Sequence, residues 1–281
     1  MSKEAYADFI LRFGLIIKKY PSLINITLSN IFTMRLIGNK THGDLAEIAI
    51  SEFINQYMYD FRSIHVGKDL YRAKSKEEDI TIENELTKEK FPVSLKAYGN
   101  GPLQLSTDKS FQMYSLLETL GDKIDQIEVI ESVFNHNAFS SFREINILPL
   151  IYDEIKQRCN ILVFDMELAR RSTVCIKKEI EGSGRKHPVY KFFDNQNRYI
   201  CEVRYGNATS NALQRGLWTN TKKADFFFFS VTDGWIKYSH NYTIVSLFSQ
   251  ALVSSSIGHE NALEEIKKDI IKLKRESIES A

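Results

Sequence analysis

Apolar residues recur at helical spacing, three or four residues apart, in three parts of the chain besides residues 107–120. The first is residues 6–20, where Pro21 ends the pattern, the second begins at Asp44, and the third spans about residues 260–276. We predict one helix in each part. Residues 23–37 are apolar and partly β-branched, a composition that fits either a helix or a strand.

Alternation of polar and apolar residues predicts a pair of strands in the middle of the chain. Residues 79–82 alternate, the next stretch is charged and turn-like, and residues 91–98 alternate again. Side chains two residues apart on a strand share a face, so Ser94 and Lys96 would project together. Asp79, at the mouth of the partner strand, would approach them.

Further strands are predicted nearer the C-terminus. Residues 159–164 form a short uninterrupted apolar run, which is typical of a buried central strand. Residues 199–205 alternate as a strand, and residues 225–231 predict a buried strand that a turn connects to a returning strand at 235–238. With a helix predicted at 107–120, the order helix, hairpin, helix and strand is common in α/β proteins.

Composition places the chain among ordinary globular proteins. Its 281 residues are 43% hydrophobic, which suffices for a sizeable core, and we treat residues 1–281 as one domain. The three cysteines are an odd number without C-x-x-C spacing, which predicts buried thiols in a reducing cytoplasm rather than a zinc site or disulfides. We find no signal peptide and no run of about 18 apolar residues, so we expect a soluble, cytoplasmic protein with no membrane partner.

Charge is distributed unevenly along the chain. Residues 166–223 hold 12 Lys and Arg against 5 Asp and Glu, an excess of +7, while the whole chain has a formal charge of +1, so the remainder carries −6. This asymmetry suits a protein that contacts nucleic acid with one part and holds a metal with another. Chance clustering of surface charges is the simpler alternative.

Asp79 and the triplet Ser94-Leu95-Lys96 together resemble the PD-(D/E)xK nuclease superfamily, to which most type II restriction endonucleases belong. Two positions depart from the family pattern, because Glu78 stands where the family has Pro and Ser94 stands where the second acid usually is. The second departure removes a metal ligand. The resemblance implies a catalytic centre of Asp79, Ser94 and Lys96, with Asp79 as a ligand of Mg²⁺.

Two acids are candidates to replace the ligand that is missing at Ser94. PD-(D/E)xK enzymes commonly open their core with a helix that carries a Glu directed at the metal, and Glu47 on the predicted second helix would supply this catalytic and metal-binding acid. Its alternative role is a capping box with Asp44 as N-cap. Asp108 is the competing metal ligand, and its alternative role is to cap the helix that follows it.

The stretch 198–225 is dense in side chains that recognise DNA. Arginine pairs with guanine, and Asn or Gln with adenine, in the major groove, whereas lysine suits phosphates. The predicted DNA contacts are Arg204, Asn207, Asn211, Gln214, Arg215, Thr219, Lys222 and Lys223. The alternative is a polar surface loop with a helix cap, in which Trp218 anchors the core.

The same stretch supplies a rival active site. Glu202-Val203-Arg204, preceded by Asp194, is a second triplet of acid, any residue and base on a predicted strand. Arginine stays protonated at neutral pH, so Arg204 would stabilise charge but would not act as a base. We therefore rank this triplet below Asp79 and Lys96.

The resemblance implies an α/β fold, with a PD-(D/E)xK core (a mixed central sheet flanked by helices) at about residues 40–165 and a β-rich recognition region at about 166–245. The implied activity is that of a Mg²⁺-dependent type II site-specific deoxyribonuclease, which acts on double-stranded DNA as a homodimer. Two alternatives stay open: a non-catalytic DNA-binding protein with this fold, and a nuclease for RNA or structured DNA. The sequence has no Walker A loop, HExxH or G-x-S-x-G, which sets ATP-driven enzymes, zincins and nucleophile-elbow hydrolases aside.

Overall fold

The structure is a computed structural model that describes residues 2–37, 42–65, 79–99, 102–105, 113–139, 146–180, 187–205 and 216–247, and isolated positions from 264 to 275. The predicted site residues that lie outside the described part are Asp108, Asn207, Asn211, Gln214 and Arg215.

Three long helices open the chain, and shorter helical segments follow in the described part. Six of these helices are α1 (Ser2–Lys19), α2 (Pro21–Ile37), α3 (His42–Tyr57), α4 (Met113–Leu120), α5 (Ile127–Asn135) and α6 (Met166–Ser172). The helix predicted at 6–20 is confirmed as α1, which buries Phe9 and Phe13 completely. The segment 23–37 belongs to α2, where Pro21 takes the first position because its fixed φ already suits a helix.

Two other helix predictions are covered only in part. The prediction for 107–120 is confirmed over α4, while residues 106–112 lie outside the described range. The described positions between 264 and 275 are all helical, as predicted for the C-terminal segment.

Seven described strands form a first sheet. They are β1 (Phe61–His65), β2 (Ile80–Asn84), β3 (Lys90–Tyr98), β6 (Asn146–Asp153), β7 (Arg158–Phe164), β12 (Phe228–Ser230) and β13 (Ile236–Lys237). The order is β1-β2-β3-β6-β7-β12, with β13 also pairing with β7. Strands β3 and β6 are parallel and the other pairs are antiparallel, so the sheet is mixed and the predicted hairpin is confirmed as β2 and β3.

A second, antiparallel sheet contains six described strands. They are β4 (Leu103–Leu105), β5 (Lys123–Ile124), β8 (Cys175–Glu179), β9 (Val189–Phe193), β10 (Tyr199–Arg204) and β11 (Leu217–Thr219), in the order β4-β11-β10-β9-β8-β5. The region after residue 165 is therefore rich in strands, as predicted. Together the helices and the mixed first sheet confirm the α/β class.

The buried side chains form two cores. In the first core, α1, α2 and α3 pack on one face of the first sheet, with Phe9 and Phe53 in the same cluster as Val93. The second core joins α4, α5 and the second sheet to Ile147 and Phe164 of the first sheet. The first sheet is thus packed on both faces, which explains why β7 is apolar from 159 to 164 except at Asn160.

The prediction of one buried strand at 225–231 is wrong. Residues Asp225–Phe227 form a 3-10 turn, and only the three residues of β12 form a strand, at the edge of the sheet. An edge strand has only one neighbouring strand, and its side chains point alternately to the two faces of the sheet. The middle residue of β12, Phe229, is 58% exposed. The returning strand, β13, pairs with the far end of β7 rather than with β12.

The cysteines follow the sequence prediction only in part. Cys159 and Cys201 are buried and form no disulfide, and burial raises the pKa of both thiols. Cys175 is half-buried. No helix in the described ranges is long and apolar enough to cross a membrane.

Candidate active site

The strand register brings Asp79 directly to Ser94. Because Ile80 pairs with Val93, Asp79 lies opposite Ser94 at the start of β2. The Ser94 hydroxyl and the Leu95 backbone N–H both donate to Oδ2 of Asp79, at 3.0 and 2.7 Å. Ser94 is buried and Asp79 is half-buried, so the carboxylate is held in one orientation by two donors from β3.

Lys96 follows on the same face of β3. From Leu95 onward β3 extends past the start of β2, and β6 is the described strand that pairs with it there. Helix α3 packs beside this stretch, because Ala46 and Ile50 line one small gap together with Lys96. Lys96 is half-buried and shares with Ser94 the face of the first sheet opposite to the one on which α3 packs.

Glu47 follows Ala46 on α3 and is only 9% exposed. One turn later, the Ser51 hydroxyl donates to the Ser63 hydroxyl of β1 at 2.9 Å. The connection between α3 and β1 has three residues, so the two elements run antiparallel. Glu47, one turn before Ser51, therefore lies toward the His65 end of β1. His65 pairs with Ile80, the residue after Asp79. Glu47 and Asp79 are thus at the same end of the first sheet.

The helix start bears on the alternative role of Glu47. Helix α3 begins at His42, so Asp44 lies inside the helix rather than at its N-cap. A capping box needs the Ser, Thr or Asp at the N-cap with the Glu three residues later. The observed start therefore argues against the capping box and leaves Glu47 as an inward-turned acid.

The donor chemistry of this end of the sheet fits Mg²⁺, which prefers carboxylate oxygens. Asp79 and Glu47 are the described acids that would hold it, and the third candidate, Asp108, lies outside the described residues. Within the described residues, no three His, Cys, Asp or Glu side chains are grouped closely enough to form a metal site. The metal therefore stays a prediction.

A cleft of about 850 Å³ opens on the same face of the first sheet as Ser94 and Lys96. Its floor includes Ile151, Leu162 and Phe228 from β6, β7 and β12, and the loop after β11 forms a wall. The cleft is lined by parts of the chain far apart in sequence. No local sequence pattern could have revealed it.

The second sheet holds the described residues of the predicted DNA contacts in different environments. The Arg204 Nε donates to Oε1 of Glu202 at 2.6 Å, and its guanidinium lies 3.8 Å from the centre of the Trp218 ring. Trp218 is half-buried. Lys222 and Lys223 are exposed in the loop beside the cleft, as a role in phosphate binding requires.

Thr219 does not fit the role that was predicted for it. Its side chain is fully buried, and its hydroxyl donates to the carbonyl oxygen of Ile200 at 2.7 Å. Strand alternation places Thr219 on the core side of β11, so its surface is not accessible to DNA in this structure.

The two acids of the rival site, Asp194 and Glu202, form hydrogen bonds and ion pairs within the second sheet. Asp194 is 3% exposed and accepts hydrogen bonds from the backbone N–H groups of Gln196 and Arg198 and from the Arg198 side chain. Burial alone would raise the pKa of Asp194, but the bonds from Arg198 and Gln196 hold it below its usual range. Asp194 therefore fixes the turn between β9 and β10, while Glu202 is paired with Arg204.

Comparison of the chain with protein-family models, with curated proteins and with solved structures found no match.

Proposed function

We propose that the protein is a Mg²⁺-dependent nuclease of the PD-(D/E)xK type that cuts double-stranded DNA at specific sites, as type II restriction endonucleases do. The observation that carries the proposal is the contact between Asp79 and Ser94 on paired strands, with Lys96 next on the same face. This geometry supports the proposal because the family places its acid and its x-x-Lys triplet on paired strands.

The order of elements supports the same proposal. Helix α3, the hairpin of β2 and β3, helix α4 and strands β6 and β7 follow one another as in the expected nuclease core. The parallel pairing of β3 with β6 inside an otherwise antiparallel sheet matches a mixed central sheet.

The site residues take the following roles in this proposal. Asp79 and Glu47, with Asp108 as the further candidate, would hold Mg²⁺, which when bound polarises the scissile phosphate and lowers the pKa of the attacking water. Ser94 and the Leu95 N–H orient the Asp79 carboxylate. Lys96 orients the water or stabilises the charge that builds on the phosphate oxygens in the transition state.

Recognition and assembly complete the proposal. The basic segment at 166–223 would contact the duplex, with Lys222 and Lys223 on phosphates and Arg204 with Asn207, Asn211, Gln214 and Arg215 near the bases. A two-fold target is read most simply by a homodimer in which each subunit cuts one strand. We further propose that the protein acts in the cytoplasm, where such DNA is met.

A non-catalytic DNA-binding protein is the second candidate, because Ser94 stands where the family has a metal-binding acid. The experiment that separates the two candidates is incubation with a sequenced plasmid in Mg²⁺ and, in parallel, in EDTA. We expect discrete fragments in Mg²⁺ and intact plasmid in EDTA. A tight mobility shift without cutting in either buffer would favour the binding protein, and random degradation would favour a nuclease of another kind.

A further inference from the structure

We propose that the cleft beside Lys96 accepts a single unpaired nucleotide of the substrate strand, with its base against Phe228 and Trp235. This proposal deepens the proposed nuclease function and rests on it for the identity of the substrate. It assigns a ligand to a cavity that the catalytic residues themselves do not line.

Position links the cleft to the candidate catalytic lysine. Lys96 is in register with Pro149 of β6, and Leu162 of β7 is in register with Ser230 of β12. Leu150 pairs with Ile161, so the neighbouring residues Pro149 and Leu162 also lie opposite each other. One row across the sheet therefore contains Lys96, Pro149, Leu162 and Ser230. Strands are about 4.8 Å apart, which puts the Leu162 floor about 10 Å from Lys96.

The aromatic walls suit a base. Phe228 is half-buried, and the Trp235 ring is 43% exposed. The Arg158 guanidinium packs on the Trp235 ring, 4.4 Å from its centre, and Trp235 still lines the cleft. Base stacking on an aromatic side chain is the usual way in which proteins hold unpaired nucleotides. The cleft volume, about 850 Å³, suits a ligand of nucleotide size.

A buried amide adds a directed hydrogen-bond donor. Asn160 is 8% exposed and lines the cleft, and its Oδ1 accepts from the Ser230 hydroxyl at 2.8 Å. The Thr232 hydroxyl lies at the same distance from Oδ1. With its carbonyl oxygen held in this way, the amide N–H groups of Asn160 would suit a ring nitrogen or carbonyl acceptor of a base in the cleft.

Charge at the rim is mixed, and this favours a ligand that is held by its base. Lys156 and Lys222 are exposed there and suit a phosphate. Asp153 and Arg158 form a salt bridge with each other at 3.3 Å. Glu154 and Asp225 also line the cleft, so the phosphate contacts would guide a nucleotide rather than dominate its binding.

The test uses tryptophan fluorescence in EDTA, where no cleavage is needed. The chain has two tryptophans, so the variant Trp218→Phe makes Trp235 the only reporter. The probes are the four deoxynucleoside monophosphates, with deoxyribose 5-phosphate as the probe that lacks a base. We expect saturable quenching by at least one nucleotide and none by the sugar phosphate.

Neighbouring residues of β12 provide a matched pair of variants. Phe228→Leu removes the stacking wall and is expected to weaken nucleotide binding about 5- to 100-fold. Phe229→Leu changes the adjacent phenylalanine, which is exposed and does not line the cleft, and is expected to leave binding unchanged. Absence of saturable quenching, or an equal response of the two variants, would overturn the proposal even if the plasmid is cut. Nucleotide binding by a protein that cuts no plasmid would support the cleft and overturn the nuclease.

Discussion

Two strand triplets that end in a basic residue lie near an acid in this molecule, and their surroundings differ. The first triplet, Ser94-Leu95-Lys96, orients Asp79 through Ser94 and Leu95 and carries Lys96 on the face of the first sheet that holds the cleft, opposite to the face on which α3 packs. Asp194 instead holds a turn of the second sheet through three hydrogen bonds, and Glu202 is paired with Arg204. The same pattern in sequence thus serves two structural purposes.

The comparison teaches that the neighbours of a triplet decide its role. A carboxylate that already accepts several hydrogen bonds from its own turn has its lone pairs committed to the fold. In the first triplet the Ser94 hydroxyl and the Leu95 N–H donate to Asp79 from the strand that also carries Lys96. The predictions below test whether this difference separates chemistry from stability.

The largest effect is expected at the lysine of the first triplet. Lys96→Met keeps the length of the side chain but removes the charge that offsets the transition state, so we expect cleavage to fall at least about 1000-fold, or about 4 kcal/mol. DNA binding, measured by mobility shift in Ca²⁺, is expected to change by less than about 3-fold. Full cleavage by this variant would exclude Lys96 from the active site.

The next effect is expected on stability at Asp194. Asp194→Asn keeps the shape but loses the charge that Arg198 and the turn N–H groups stabilise, so we expect the free energy of unfolding in urea to fall by about 2–3 kcal/mol. Because the folded-state pKa of Asp194 is lowered, its contribution is complete above the unfolded pKa of about 4 and is lost as pH falls through the folded pKa. The difference between wild type and variant should therefore shrink in acid. Lost cleavage by folded Asp194→Asn would contradict a purely structural role.

A smaller effect on cleavage is expected at Ser94. Ser94→Ala removes one of the two donors to Asp79 Oδ2 and leaves the Leu95 N–H in place. We expect cleavage to slow about 10-fold, which is the value of one hydrogen bond to a charged group. Thr219→Val, a loss of a buried hydroxyl in the second sheet, is the control and should lower stability without slowing the cleavage of folded protein. An unchanged rate in Ser94→Ala would show that Leu95 alone positions the acid.

The smallest effect is expected at the exposed lysines beside the cleft. Lys222→Ala and Lys223→Ala should each weaken DNA binding about equally for all sequences and reduce the slope of log affinity against log salt by about 1. Affinity measured from low to moderate salt checks this, and Lys90→Ala on the first sheet serves as a distant control. An unchanged slope in both loop variants would place the phosphates elsewhere.

Local patterns predicted the hairpin and the meeting of Asp79 with Ser94, because strand alternation and register depend on neighbouring residues. They also predicted α1, α3 and β7. They failed at Thr219 and at residues 225–231, where a position on the core side or at the sheet edge decides exposure. Such positions depend on which strands pair, and pairing is not a local property.

The cleft and the place of Glu47 could not be derived from sequence for the same reason. The cleft is lined by β6, β7, β12 and the loop after β11. No pattern in the sequence indicates that these four segments lie together. Glu47 lies at the same end of the first sheet as the start of β2 because α3 folds back on β1, a result of one short connection and the contact of Ser51 with Ser63.

The central claim is that the first triplet, and not the second, is a metal-dependent catalytic centre. The most direct measurement is Mg²⁺-dependent plasmid cleavage by wild type, Asp79→Ala and Glu202→Gln, each compared with EDTA. We predict that wild type and Glu202→Gln give the same fragments in Mg²⁺ and that Asp79→Ala, although folded and bound to DNA, gives none. Cleavage that persists in Asp79→Ala and is lost in folded Glu202→Gln would contradict the account.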